Sequence, residues 1–233
     1  MTPLQGVLFD KDGTLFDFAA TWEAWATSFL LRSSGGDQAQ ARLVGLDIGF
    51  DFNAQKFARN SVVIAGTPGD IANALAPHFP DLGLGDLIDM LNEEAVRAPQ
   101  QEAVSLTPFL TELRARGLKL GVATNDAEAP ARAHLDTAGV TAFFDFIAGF
   151  DSGHGAKPGP GQMQAFLHLT GLPGAAVAMV GDSTHDLHAG RAAGMRTVAV
   201  LTGLATADEL APFADVVLPN IGHLPDWLDD PDT

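Results

Sequence analysis

The sequence predicts an α/β fold: a parallel sheet with helices on both faces, plus an inserted α-helical unit. Three observations lead there. Short apolar runs of strand length alternate with helix-length stretches toward both ends of the chain, the pattern of right-handed crossovers in a parallel sheet. Several of these runs stop at polar residues, at Asp10, Thr124 and Asp182. That is where such sheets bind ligands, beyond the carboxyl ends of their strands. Residues 17–98 separate the first run from the others and carry helical periodicity instead.

The first strand is expected over residues 6–10, where Gly-Val-Leu-Phe is uninterrupted by polar residues, as a strand buried on both faces requires. The same reasoning predicts strands over 118–124, 143–148, 176–181, 196–201 and 215–218. Helices are predicted between them over 107–116, with Pro108 at the first position, and over 129–138, 161–170 and 184–193. Within the insertion, Phe18, Trp22, Trp25 and Phe29 recur on one helix face, and Gly35-Gly36 then breaks the chain. Further helices are predicted over 53–59, over 68–78 with Thr67 as cap, and over 86–98 before Pro99. The β-branched Val62, Val63 and Ile64 are ambiguous, and the acidic, proline-containing end from Pro225 onward is expected to fray.

Composition narrows the function. At 233 residues the chain suits one core domain carrying an insertion, and 46% hydrophobic against 18% charged residues describes a compact globule. A formal charge of -16 argues against nucleic acid and anionic membrane surfaces as partners. The absence of cysteine rules out disulfides and thiolate metal sites. No run approaches the roughly 20 apolar residues of a membrane span, and the first residues lack the look of a signal peptide, so cytoplasm is the expected location. An anionic substrate would need local positive charge in so acidic a chain, and a divalent metal with one lysine would supply it.

The polar strand ends carry that chemistry. Asp10 can act as a nucleophile toward phosphorus, and Asp12, two residues on, can give a proton to the leaving oxygen and later take one from water. Gly13 permits a sharp turn, and the hydroxyl of Thr14 can fix Asp12 or cap the next segment. Thr124 and Asn125 can present a hydroxyl and N–H groups to phosphoryl oxygens, although a helix cap would use the same residues. Lys157, in the glycine-rich stretch before Pro158, can hold Asp10 and a phosphate together. Asp182 beside Asp10, with the Asp12 backbone carbonyl, can ligate Mg2+, and Asp186 one helical turn later can orient Lys157 or water. In the insertion, Lys56 and Arg59 are the preferred candidates for gripping the rest of the substrate. A solvated face is the plainer account of each.

In this order, Asp10-Lys11-Asp12-Gly13-Thr14, Thr124-Asn125, Lys157-Pro158 and Gly181-Asp182 through Asp186 resemble the motifs of the haloacid dehalogenase superfamily of phosphohydrolases. The resemblance covers residues 1–16 and 99–220, whereas 17–98 match in position and helical character. It implies a Rossmann-like core over 1–16 and 99–233, an α-helical cap over 17–98, Mg2+, and an aspartyl-phosphate on Asp10; the position of the insertion between two linkers leads to the expectation that the cap opens and closes to gate substrate entry. By the same resemblance Asp12 is the acid/base, Thr124 and Lys157 bind phosphate, and Asp182 and Asp186 are the acidic pair. Among subfamilies the chain is similar to phosphoglycolate phosphatases, which implies a small phosphorylated metabolite as partner, with 2-phosphoglycolate first, and a monomer or homodimer. Lys11 departs from the apolar residue usual between the two aspartates. A sugar-phosphate mutase, and an inactive magnesium-binding interaction scaffold, are the alternatives.

Overall fold

The structure is a computed structural model in which residues 3–229 are described. The chain starts with strand β1 (Gly6–Phe9) and enters the insertion, made of α1 (Phe18–Ser33), α2 (Gln38–Asp47), β2 (Phe50–Asp51), β3 (Lys56–Phe57), α3 (Pro68–Leu75) and α4 (Leu84–Arg97). It returns through α5 (Leu106–Ala115), β4 (Lys119–Ala123), α6 (Glu128–Thr137), β5 (Phe146–Ala148), α7 (Gly161–Thr170), β6 (Val177–Gly181) and α8 (Thr184–Ala192). The last elements are β7 (Arg196–Val200), α9 (Ala207–Leu210), β8 (Val216–Leu218) and α10 (Leu224–Leu228).

The six core strands form one sheet in the order β5-β4-β1-β6-β7-β8, and every pairing is parallel. Side chains alternate across it as a pleated strand demands. Val7 and Phe9 of β1 pack with Phe109, Leu110 and Leu113 of α5 and Leu135 of α6, while Leu8 packs with Met163 and Phe166 of α7 on the other face. Covering both faces explains why the strands read as continuous apolar runs. Strand β1 lies between β4 and β6, so chain connections diverge on either side of it and leave a crevice at the carboxyl ends of these three strands.

The insertion has its own apolar cluster, centred on Trp22, Trp25, Phe29, Leu30, Phe50 and Leu75. The Trp25 and Phe29 rings stack at 5.6 Å, and Trp22 meets Trp25 edge-on at 5.3 Å. Two strands of chain connect it to the core side by side: Asp17 N–H donates to the Gln101 carbonyl and Ala103 N–H to that of Leu15. Among the described residues no helix is long and apolar enough to cross a membrane.

Four local expectations are corrected. Residues 53–59 form no helix. The Asp51 carboxylate accepts from the N–H groups of Asn53 and Ala54, Gln55 adopts φ +53°, and Phe50 packs on Phe57 at 4.8 Å, so an Asx turn closes a small hairpin. Helix α2 was not foreseen; it starts where Asp37 caps the N–H groups of Ala39 and Gln40. Helix α5 begins at Leu106, whose N–H is held by the Glu102 carboxylate at 3.0 Å, so Pro108 is inside the first turn, where no donor is needed. From Pro225 the chain is helical as far as Leu228, anchored by buried Leu224 and by Asp229 paired to Arg116. The remainder of the expected fraying, residues 230–233, lies outside the described residues.

Candidate active site

The carboxyl ends of β1, β4 and β6 bring Asp10, Thr124 and Asp182 together. Lys157 Nζ lies 2.6 Å from Asp10 Oδ1, 2.6 Å from Asp186 Oδ1 and 2.9 Å from the Ala123 carbonyl. Those three bonds use all three ammonium hydrogens. Lys157 therefore offers a phosphoryl group its charge and its hold on Asp10, not an idle N–H. Asp186 works with both oxygens: Oδ1 takes Lys157, and Oδ2 accepts from Ser183 N–H and Oγ–H, a capping box that starts α8. Oxygens of Asp10, Asp182 and Asp186 lie within 4.8 Å of one another, and all three residues are buried.

Burial pushes the Asp10 carboxyl up to about 7. Lys157 pulls it back, while the Asp186 and Asp12 carboxylates add to the rise. Asp182 is raised well above the usual carboxylate range by burial first, then by Asp10 and Asp186. Lys157 is held above its ordinary value because Asp10 and Asp186 outweigh its own burial. Space for Asp182 is made by glycine: a Cβ on Gly13 would sit 2.5 Å from its Oδ2, and one on Gly203 1.6 Å away. Gly13 also has φ +83°, so a side chain there is excluded twice over. Thr202 Oγ donates to the Gly13 carbonyl at 2.6 Å, tying this turn to the end of β7.

Thr124 is buried, and its Oγ accepts from Asp126 N–H at 3.1 Å, which leaves its hydroxyl hydrogen for a ligand. The Asn125 side chain is fully engaged elsewhere. Its Nδ2 donates to the carbonyls of Ala65 and Lys157, and its Oδ1 accepts from Lys157 N–H. The side chain therefore fastens the Lys157 loop and joins it to the insertion, and the phosphate contact expected of Asn125 falls to its backbone N–H. The buried Thr14 hydroxyl has no partner, so it neither fixes Asp12 nor caps a helix.

Sequence reasoning missed a second buried cluster. Lys11, fully buried, lies 2.9 Å from Asp12 Oδ2, 3.1 Å from Asp126 Oδ2 and 2.8 Å from His134 Nδ1. An ammonium only donates, so Nδ1 accepts, and His134 Nε2–H donates to the Ala95 carbonyl of α4 at 2.7 Å. The ring is therefore neutral, and it links core to insertion. Burial, then the Lys11 charge, lowers its pKa to about 4, and burial raises Asp126 to about 6 against the pull of Lys11.

A histidine whose folded pKa of about 4 lies below its ordinary 6.5 binds fewer protons in the native state. Its stabilising contribution is intact above the unfolded value and is lost as pH falls through the folded one. Glutamine offers the same acceptor and donor without titrating. We expect His134→Gln to match wild type at neutral pH and to exceed it by about 2–3 kcal/mol near pH ~4.5, read by urea unfolding at both. A difference that does not change with pH would refute the assigned tautomer.

The crevice between insertion and core is lined by Asp10, Asp12, Thr124, Asn125, Lys157 and Asp182. The insertion contributes Phe18, Trp22, Trp25, Ile64, Leu91 and Asn92 to its walls. Neither Lys56 nor Arg59 is among these lining residues, although Arg59 borders an adjoining pocket that shares Ile64, Ala65, Ser183 and His185 with the crevice. Lys56 is paired with Glu23 in the open, and Arg59 reaches the exposed Glu209 of α9. His185 lines the crevice, whereas His188 packs against Phe213.

The family described as haloacid dehalogenase-like hydrolase matches residues 4–194. A phosphoglycolate phosphatase of Yersinia pestis is 31% identical over 228 residues, covering 94% of this chain and 94% of that one. A phosphoglycolate phosphatase of Rhodospirillum rubrum is 35% identical over 120 residues, 52% of this chain. The chain spans about half the length of that relative, 50%. The crystal structure of a HAD phosphatase from Thermococcus onnurineus superposes with a TM-score of 0.66 over 97% of this chain and 98% of that one, at 24% identity, a likeness of fold.

Proposed function

The chain belongs to the haloacid dehalogenase-like hydrolases, and on that premise we propose that it is a Mg2+-dependent phosphomonoester hydrolase working through an aspartyl-phosphate on Asp10. One observation carries the reading: three buried carboxylates, Asp10, Asp182 and Asp186, share one rim with a single ammonium that contacts Asp10 and Asp186 at 2.6 Å.

That donor set fits a hard dication. It offers only oxygen, and three carboxylates against one ammonium leave negative charge that burial makes costly. Asp186 already spends both oxygens on Lys157 and Ser183, so Asp10, Asp182 and the Asp12 backbone carbonyl are the groups that would hold Mg2+. When bound, the ion would neutralise charge on the phosphoryl oxygens.

The residues would then divide the work. Lys157 fixes Asp10 through Oδ1, leaving the other carboxylate oxygen to attack phosphorus in line with the leaving group. As the new P–O bond forms, the bond to the leaving oxygen breaks and Asp12 gives that oxygen a proton. Asp12 next takes a proton from water, whose oxygen attacks phosphorus and releases inorganic phosphate, returning Asp10 as a carboxylate. The Thr124 hydroxyl donates to a phosphoryl oxygen throughout. Asn125, bonded at once to the Ala65 carbonyl and the Lys157 backbone, makes the position of Lys157 sensitive to closure of the insertion.

The test is phosphate release with Mg2+ over small phosphorylated acids, sugars and alcohols. The names of the relatives make 2-phosphoglycolate the first compound to assay. Isomerised sugar phosphate as the main product would favour a mutase instead. Chelation is expected to abolish release and Mg2+ to restore it. Independently of turnover, Mg2+ at a hundred times its Kd should stabilise the fold by about 2.7 kcal/mol, seen as a rise in Tm that Asp182→Asn removes. Activity that persists in chelator would sink the metal assignment.

A further inference from the structure

The insertion brings no charge to the crevice. Its share of the lining is apolar, with Phe18, Trp22, Trp25, Ile64 and Leu91 prominent, and Asn92 is its polar side chain there. Opposite stand the carboxylates of Asp10, Asp12, Asp126 and Asp182. Among the described residues, Lys157 is the one lysine or arginine that lines this space, and its three hydrogens are taken. Lys11 is buried against Asp12 and Asp126, Lys56 is paired with Glu23 away from the lining, and Arg59, which borders an adjoining pocket, is paired with Glu209. A leaving group carrying a carboxylate would be stripped of water against indole and aliphatic side chains, with carboxylates opposite and no free cation. An apolar leaving group gains from the same surroundings.

Two atoms refine this. Trp22 Nε1 and Asn92 Oδ1 are both shut from solvent with no partner, although both residues line the crevice. The neighbouring Trp25 is different, for its Nε1 donates to the Leu91 carbonyl at 3.2 Å. Buried polar atoms are nearly always hydrogen-bonded. A donor and an acceptor left over in one cavity complement a group that both accepts and donates, such as a hydroxyl or an amide.

Resting on the phosphatase reading, we propose that the substrate is a phosphomonoester of an uncharged alcohol with an apolar, ring-sized body and one further hydroxyl or amide, held between the Trp22 indole N–H and the Asn92 side-chain carbonyl. Trp22 and Asn92 then set specificity, and the core residues perform the chemistry on whatever phosphoryl group is delivered. Phosphorylated carboxylic acids are the compounds this crevice rejects.

The experiment compares kcat/KM, with Mg2+, for phenethyl phosphate, tyrosol phosphorylated on its alkyl oxygen, and phosphoglycolate. All three expel an alkoxide, so recognition decides the order. Both ring compounds should exceed phosphoglycolate by about a hundredfold or more, and the tyrosol ester should exceed phenethyl phosphate by about tenfold. In Trp22→Phe and Asn92→Leu that tenfold preference for the hydroxyl should collapse toward unity. Binding without turnover is read from tryptophan fluorescence, which benzylphosphonate should perturb at far lower concentration than phosphonoacetate. Phosphoglycolate turned over as well as or better than the ring compounds overturns this inference and leaves the phosphatase reading standing. Phosphate release from none of them, nor from nitrophenyl phosphate, sinks both.

Discussion

Asp10→Asn is expected to abolish turnover, with kcat down by on the order of 10⁴-fold or more, in a protein that remains folded. Asparagine keeps the shape and the carbonyl that Lys157 grips at Asp10 Oδ1, but its amide nitrogen replaces the oxygen that must attack phosphorus. The fold has reason to tolerate the change. Asp10 titrates at about 7 in the folded chain against an ordinary 3.8, so the native state binds that proton more tightly than the unfolded one. Stability linked to it is present below the ordinary value and is lost as pH rises through the folded one. Removing the titrating group removes this loss, so above pH about 7 the variant should melt no lower than chelated wild type. The Mg2+-induced rise in Tm should vanish with the carboxylate. Retained phosphate release would end the covalent mechanism, and loss of release together with loss of the circular-dichroism melt would mean that Asp10 had been misread as a removable group.

The core of the site was legible because each strand announces where it stops. Asp10, Thr124 and Asp182 follow apolar runs too uniform to face water, and a parallel sheet must deliver such ends to one rim. Lys157 could be chosen only by its order in the chain, yet the structure joins it to Asp10 and Asp186. Asn125 was harder, since a polar residue after Thr124 looks the same whether it faces a phosphate or ties down a loop, and its partners, the carbonyls of Ala65 and Lys157, are distant in sequence. The short hairpin at Asp51 and the helix after Asp37 were missed because side-chain capping decides both, and neither has much hydrophobic periodicity. Lys56 and Arg59 were picked for charge and position in the insertion. Charge alone does not say on which side of a small hairpin a residue emerges, and Lys56 pairs outward with Glu23. The missed cluster has one sequence sign, the lysine between two aspartates. Lys11 reads as a solvated turn residue until Asp126 and His134, far along the chain, close around it.

Lys11→Met is expected to destabilise the fold by about 3–5 kcal/mol. Methionine fills the volume and removes the charge. Asp126 then loses its ion pair in a fully enclosed setting, Asp12 loses a contact of 2.9 Å, and His134 Nδ1 loses its donor. The penalty should depend on acid in a definite direction. Burial raises Asp126 to about 6 even while Lys11 pulls it down, so without Lys11 it rises further and protonates in the native state, which relieves the unpaired charge as pH falls. The deficit measured by urea unfolding should therefore shrink on going from neutral to mildly acid solution. A second substitution locates the cause. Asp126→Asn removes the stranded charge, so the pair Lys11→Met with Asp126→Asn should be more stable than Lys11→Met alone, a coupling that independent sites would not produce. If the double variant were instead the sum of the singles, Lys11 would be acting through packing under Trp22, whose ring centre it approaches at 5.8 Å, and not through the carboxylates that surround it.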